Sequence, residues 1–223
     1  MPLNKGHRMQ QVYIGNTIRR QPDKRVLLCC PLHGDLLDVS RYRNSATYST
    51  APTYGSPSVP DAFDGGYYGA WNYTLTRSLD VAKPWSAEYY TYISGTVDLY
   101  FGAAVRWFFA GDRSGSSYIQ VFNVADSTRN VTSSYGWKLG IRHMAATYDG
   151  TACRIYMDGV LEGTLTDAAF VGQASYVRIL HTSTRRVCNL RIVSGLALDK
   201  VAPNGTYYYP VPAAFYNGFE VLE

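Results

Sequence analysis

Over several stretches of this 223-residue chain, apolar and polar residues alternate with a period of two. That is the spacing of half-buried strands, not of amphipathic helices. Alternation is clear from Tyr67 to Leu75 and from Ala87 to Ile93. In the second run Glu88, Tyr90 and Tyr92 share one face, and Ala87, Tyr89, Thr91 and Ile93 the other. Val26 to Cys30 is a compact apolar run that reads as a buried first strand. Val97 to Phe109, interrupted by Gly102 and Arg106, reads as one strand bent at Gly102 because aromatic and β-branched residues dominate it. Further strands are expected at Ser117 to Val124, Trp137 to Tyr148, Ala152 to Met157, Val160 to Leu165, 175–181 and 187–193. Residues 1–25 and 125–136 read as irregular and polar, and 44–60, broken by Pro52, Pro57 and Pro60, as a long surface connection.

Two Asp-Gly pairs, Asp149-Gly150 and Asp158-Gly159, separate three of these runs and predict an antiparallel meander. Both central residues of a type I′ turn need positive φ, which Gly adopts freely and Asp better than most residues. About ten or more short strands with turn signals every 8 to 12 residues indicate an all-β fold. The expected architecture is a two-sheet antiparallel jelly-roll sandwich. Residues 1–25 form a basic arm, 26–198 the jelly-roll domain, and 199–223 a Tyr- and Pro-containing tail. No fixed-period repeat points to a solenoid or propeller.

Composition agrees with strands and turns: 46% of residues are apolar, 17% are charged, and there are 20 Tyr and 20 Gly. The net charge of +4 is concentrated at one end, where Lys5, Arg8, Arg19, Arg20, Lys24 and Arg25 face a single acid, Asp23. A partner-packed arm explains this better than nucleic-acid binding, because no aromatic interleaving accompanies the charges. No apolar run reaches the roughly 18 residues of a membrane span, and no secretory signal opens the chain. Cys29, Cys30, Cys153 and Cys188 lack zinc-site spacing, so buried thiols are expected. A Cys153–Cys188 bond is the alternative in an oxidising compartment. The Asn-x-Ser/Thr sequences at Asn72, Asn130 and Asn204 are read as chance in a chain without a signal peptide.

The run from His143 through Ala145, Thr147, Tyr148, Asp149 and Gly150, followed by Tyr156, Asp158 and Gly159, resembles the middle of laminin G-like jelly rolls. These belong to the concanavalin A-like lectin and glucanase superfamily. Phe63-Asp64-Gly65-Gly66 is similar to that family's early strand entry, and Leu190 to Ala197 to its closing strand. Together these anchors span about residues 26–198. The closing strand running into a Pro-containing tail resembles the version found in tailed-bacteriophage virion proteins. The resemblance implies a lectin-like scaffold and a structural role for His143.

Catalysis is not expected. Retaining glycosidases need two carboxylates about 5 to 5.5 Å apart, which the enzymes of this superfamily carry in a Glu-x-Asp-x-x-Glu strand. The glutamates here are Glu88, Glu162, Glu220 and Glu223, and Glu88 shares its face with tyrosines. His7, His33, His143 and His181 are scattered, no Gly-x-Ser-x-Gly signature occurs, and Asp112 to Ser117 reads as a polar turn. No cofactor is expected. Calcium at the sandwich rim stays open without a nameable ligand set, since Asp149 and Asp158 are accounted for as turn residues.

Aromatic stacking with flanking hydrogen-bond groups suits sugars, and Tyr67, Tyr68, Trp71, Asn72 and Tyr73 form such a cluster. Packing is the alternative for every ring in it. Arg8, Arg19, Arg20, Lys24 and Arg25 of the arm and Tyr207, Tyr208 and Tyr209 of the tail are the expected assembly contacts. The leading expectation is a non-enzymatic bacteriophage virion structural protein, in the tail or decorating the head, whose lectin-like domain binds host or environmental glycans. Its partners would be other virion proteins, further copies of itself in a homo-oligomer or multi-copy assembly, and a glycan. Neither a membrane nor nucleic acid is expected as a partner. It would assemble in the host cytoplasm and reside in the virion. The alternatives are a cement or tail-assembly protein that binds no sugar and, more distantly, a glycoside hydrolase.

Overall fold

The computed structural model describes residues 11–14, 17–20, 23–32, 36–50, 53–55, 66–68, 70–92, 96–102, 104–110, 117–123, 126–135, 141–166, 168–181 and 187–211. Of 11–14, 17–20, 53–55, 66–68, 92, 96–98, 106–110, 117–120, 122–123, 126–135, 141 and 181 it describes the backbone alone. Every regular element among the described residues is a strand.

Two antiparallel sheets form the sandwich. The seven-stranded sheet runs in the order β12 (Asp126–Tyr135), β11 (Ser117–Asn123), β10 (Val105–Ala110), β9 (Thr96–Phe101), β16 (Gln173–His181), β7 (Ala70–Asp80), β4 (Ala46–Thr47). The ten-stranded sheet runs β18 (Lys200–Val201), β19 (Tyr207–Tyr208), β15 (Val160–Leu165), β14 (Cys153–Met157), β13 (Ile141–Tyr148), β8 (Trp85–Tyr92), β17 (Val187–Ser194), β6 (Gly66–Tyr68), β5 (Thr53–Gly55). In it β3 (Val26–Cys30) pairs with β17 beside β6. A separate two-stranded sheet pairs β1 (Gln11–Ile14) with β2 (Thr17–Arg20).

Alternation decides which side chains fill the space between the sheets. From β7 come Trp71, Tyr73, Leu75 and Leu79, and from β9 and β16 Leu99, Phe101, Val177 and Ile179. The facing sheet supplies Leu28, Trp85, Tyr89, Met144, Ile155 and Ile192. Trp85 is the hub of an aromatic group: its ring centroid lies 5.4 Å from Phe101, 6.2 Å from Tyr148 and 6.0 Å from Phe170. Each large apolar side chain removed from water in this way contributes roughly 1.5–3 kcal/mol. All four cysteines are buried free thiols, and burial pushes Cys188 up to about 12 and Cys153 higher still. Both are therefore held protonated.

Four expectations change. The apolar run from Val97 to Phe109 is a hairpin of β9 and β10, because the chain reverses where a bend was expected. Leu99, Phe101 and Val105 all face the core, so hydrophobicity continues across the turn and hides it. Residues 125–136, read as a loop, contain β12, whose Val131 stands in register with Val121 and whose Thr132 and Asn130 occupy the alternate positions. The N-terminal segment, read as lacking periodicity, carries β1 and β2. Beyond residue 198 the sheet continues through β18 and β19.

The two Asp-Gly pairs make different turns. Asp158 (φ 50) and Gly159 (φ 82) are both left-handed and close β14 onto β15 with Met157 opposite Val160, as a type I′ turn requires. Gly150 (φ 101) is left-handed without Asp149, and four residues separate Tyr148 from its partner Cys153. Asp149 holds that wider loop with its side chain, accepting from the Thr151 and Ala152 amides at 2.8 Å each and from Arg154 Nη1 at 2.8 Å. Burial alone would raise its pKa, but these hydrogen bonds and the Arg154 charge hold it below the usual carboxylate value. The loop's contribution is thus complete above the unfolded-state pKa and fades as pH falls through the folded one.

A Cβ on Gly159 would fall 2.8 Å from the Tyr209 carbonyl oxygen, whereas one on Gly150 would meet nothing closer than 3.9 Å. Gly159→Ala should therefore cost about 2–4 kcal/mol, from left-handed strain plus displacement of Tyr209, and Gly150→Ala about 1–2 kcal/mol from strain alone. Thermal melts of the two variants check this. Equal shifts would show that Tyr209 yields freely.

Candidate functional site

Alternation in β7 divides the aromatic cluster expected to bind glycans. Trp71 (1% exposed) and Tyr73 (0%) point into the core. Tyr73 donates from its hydroxyl to the Leu36 carbonyl at 3.1 Å, and burial raises its pKa well above the ordinary value. These two rings are core residues, which corrects their reading as an exposed sugar platform. Asn72 lies between them on the opposite face and is half-buried. Tyr67 and Tyr68 belong to β6, opposite Tyr54 and Thr53; their side chains lie outside those described.

The outer face of the ten-stranded sheet holds a buried charge cluster. Glu88 Oε1 accepts from Arg191 Nε at 2.6 Å and also from Arg191 Nη2, and Glu88 Oε2 lies 2.8 Å from His143 Nε2. Side-chain exposure is 1% for Glu88 and His143 and 9% for Arg191. The register dictates this meeting: Arg191 stands opposite Glu88 across β8 and β17, and His143 opposite Tyr90 one step along β8 and β13. Glu88 is thus matched by the Arg191 guanidinium and the His143 ring, not by the second carboxylate that glycosidase chemistry needs.

The chain after β17 covers this cluster. Ser86 Oγ donates to the Leu196 carbonyl at 3.0 Å and accepts from the Leu198 amide at 2.8 Å. Asp199 accepts from Tyr156 at 2.8 Å and from Arg154 Nη1 at 3.3 Å, and the Arg154 guanidinium lies 4.0 Å above the Tyr207 ring. Tyr209 is buried, its ring centroid 5.5 Å from that of His143 and 5.8 Å from that of Tyr156. With Val26, Cys29, Ala145, Val193 and Leu198, Tyr156 and Tyr209 form a second core. Among the residues expected to make assembly contacts, then, Tyr209 is spent inside its own chain and Tyr207 is half-buried, while Tyr208 remains 40% exposed. Arg25 pairs with Asp23 at 2.6 Å and Lys24 is exposed. Arg19 and Arg20 lie on β2 with only their backbone described, and Arg8 lies outside the described residues.

On the outer face of the seven-stranded sheet the described side chains come from β4, β7, β16 and the end of β9. On β7 and β16 the outward residues Thr74, Tyr176 and Arg178 are exposed, with Asn72 half-buried beside them and Tyr100 of β9 half-buried next in line. Asn72 is opposite Arg178, and Arg178 opposite Tyr100. Sequence reasoning missed Arg178 and Tyr100 because their juxtaposition depends on pairing between strands about 80 residues apart in the chain. Parity along 175–181 was the available signal for which of those residues face out. Among the described residues no group of three or more His, Cys, Asp or Glu could hold a metal ion, and no helix could cross a membrane.

No protein-family model matches the chain, and no curated protein matches it in sequence. Solved structures do. The binding domain of botulinum neurotoxin serotype D superposes with a TM-score of 0.57 at 11% identity, covering 76% of this chain and 47% of that one. The fold is thus a two-sheet antiparallel jelly roll. Domain 4 of the extracellular arabinanase AbnA from Geobacillus stearothermophilus, in complex with arabinotriose, gives a TM-score of 0.51 at 12% identity, covering 78% of this chain and 94% of that one. The Emp47p carbohydrate recognition domain gives 0.50 at 8% identity, with 79% and 98% covered. This jelly roll spans about half the length of the botulinum binding-domain structures it matches.

Proposed function

We propose that this chain is a non-enzymatic glycan-binding component of a tailed-bacteriophage virion, present in several copies in the tail or on the head, and that it holds sugars on the outer face of its seven-stranded sheet. The observation that carries the reading is the contrast between the two outer faces. One is sealed by residues 196–211 over a second core. The other carries Asn72, Arg178 and Tyr100 in register, Arg178 exposed and Asn72 and Tyr100 half-buried. An aromatic ring flanked by an amide and a guanidinium offers both stacking and directional hydrogen bonds, the two contacts a sugar requires. Carbohydrate complexes among proteins of similar fold support the ligand class, and the resemblance of residues 190–197 to phage virion domains supports the setting.

A glycan array probed with the whole chain tests it. Binding should fall at least about tenfold in Tyr100→Ala and Asn72→Ala, since truncating a central contact commonly costs more than 1 kcal/mol. A chain that binds no glycan, in a particle that fails to assemble once residues 1–25 are deleted, would favour the cement reading. The exposed apolar residues Val160, Val201, Tyr208 and Val211 near the β18–β19 edge are the observation that keeps it in view.

A further inference from the structure

The row that passes through Tyr100 does not stop there. Reading the register across the seven-stranded sheet, Thr47 of β4 stands opposite Asn72, Asn72 opposite Arg178, and Arg178 opposite Tyr100. Tyr100 then stands opposite Arg106, Arg106 opposite Phe122, and Phe122 opposite Asn130. Strand alternation assigns the row to one face, because the residues stepping with it on the other face, Trp71, Ile179, Leu99 and Val121, are buried in the core.

The order within the row is informative. Two arginine positions, 178 and 106, lie two strands apart with a tyrosine position between them. Neighbouring strands are about 4.8 Å apart, so the arginines recur at about 9.6 Å. That is the length of an extended disaccharide. Arg178 is exposed and makes no ion pair with another described side chain, whereas Arg25, Arg142, Arg154 and Arg191 each pair with an acid. The acid nearest the row in register is Asp98, in the next row opposite Leu180 and Phe108. An exposed guanidinium is a ready bidentate partner for a carboxylate, which it recognises by geometry as well as by charge.

We infer that the row accommodates an acidic polysaccharide with one carboxylate per disaccharide repeat. Successive carboxylates fall in register with Arg178 and Arg106, and the intervening ring falls in register with Tyr100. The inference rests on the glycan-binding reading of this face and adds the ligand's charge and spacing. Such a ligand runs across the strands, and its binding weakens with salt as exposed charge pairs do.

Calorimetry on the full chain tests it with four probes: an octasaccharide of alternating glucuronate and N-acetylglucosamine, its carboxyl-reduced counterpart, an oligogalacturonate carrying a carboxylate on every ring, and a neutral glycan panel. The alternating octasaccharide should bind best. Carboxyl reduction should weaken it at least about tenfold, as should Arg178→Gln and Arg106→Gln, while Arg77→Gln, exposed and outside the row, should change affinity less than about twofold. Equal binding of the reduced or neutral sugars would overturn the acidic ligand and leave the glycan-binding reading standing. Preference for the oligogalacturonate would overturn the spacing. A loss in Arg77→Gln as large as in Arg178→Gln would reduce the effect to overall charge and overturn the row. Binding to no sugar at all would overturn both readings.

Discussion

Glu88→Ala should lower stability by about 3–5 kcal/mol, because it leaves the Arg191 guanidinium and the His143 ring buried without the carboxylate that matches them. At 223 residues that corresponds to a fall in the melting midpoint on the order of 10 °C. The loss should be felt first in the covering segment, since Tyr209 packs on His143. Chymotryptic cleavage after Tyr207 and Tyr208 should therefore appear well below the global transition. A buried ion pair is itself weak evidence of net stabilisation. Accordingly, the triple replacement Glu88→Leu, Arg191→Met and His143→Leu should recover most of what Glu88→Ala loses. A single variant within about 1 kcal/mol of the parent would mean that water reaches the cluster and solvates the stranded charges.

Asp38→Ala is the second large effect, about 3–5 kcal/mol, and among the described residues it works through hydrogen bonds and not through a countercharge. Oδ1 accepts from the Cys29 and Ser40 amides at 2.9 Å each, and Oδ2 from Ser40 Oγ at 2.8 Å, the Asn44 amide at 2.8 Å and Asn44 Nδ2 at 2.7 Å. The group is 3% exposed. Hydrogen bonds to a charged acceptor contribute about 1.5–3 kcal/mol each, and stranding buried donors costs about as much again per group, though the terms do not simply add. The carboxylate anchors residues 38–44 to β3, and Asn44 carries the connection on to β7 by accepting from the Thr76 amide at 2.8 Å. Asp38→Asn keeps one acceptor oxygen and turns an NH2 group toward donors, so it should lose nearly as much. Urea titrations with unchanged slopes would measure both. A loss below about 1 kcal/mol in either variant would show that the segment repairs its hydrogen bonds locally.

The two predictions mark the boundary of what could be read from residues alone. Local signals carried well: the Asp158-Gly159 turn, the buried run Val26–Cys30 and the parity of Glu88 with Tyr90 all depend on neighbours within a few positions. The Trp71 and Tyr73 assignment failed although the same parity was visible, because parity says which residues share a face and not which face is wet. That choice is made by Leu99, Phe101 and Ile179, supplied by other strands. The same limit hid the Arg178 row and the cluster around Glu88. Their members lie as far apart in the chain as residues 72 and 178 or 88 and 191, and meet only through long-range register. The tail, expected to make assembly contacts, instead packs Tyr209 on its own sheet, because that ring has its partners on strands far upstream.

The pairing of β3 with β17 has a kinetic side. Residues 26–30 are fully buried between elements whose central partner is residues 190–193, so the middle of the ten-stranded sheet joins the two ends of the jelly roll. At ribosomal rates of about 5–20 residues per second, the apolar run Val26–Cys30 waits on the order of ten seconds before its partner strand exists. Non-local pairing of this kind is slow to form even once the chain is complete. Until then five consecutive apolar residues are available to any other unpaired strand, including the same run on a neighbouring nascent chain. Yield of this protein in a cell should therefore depend less on the stability of the finished sandwich than on what shields β3 while β17 is being made.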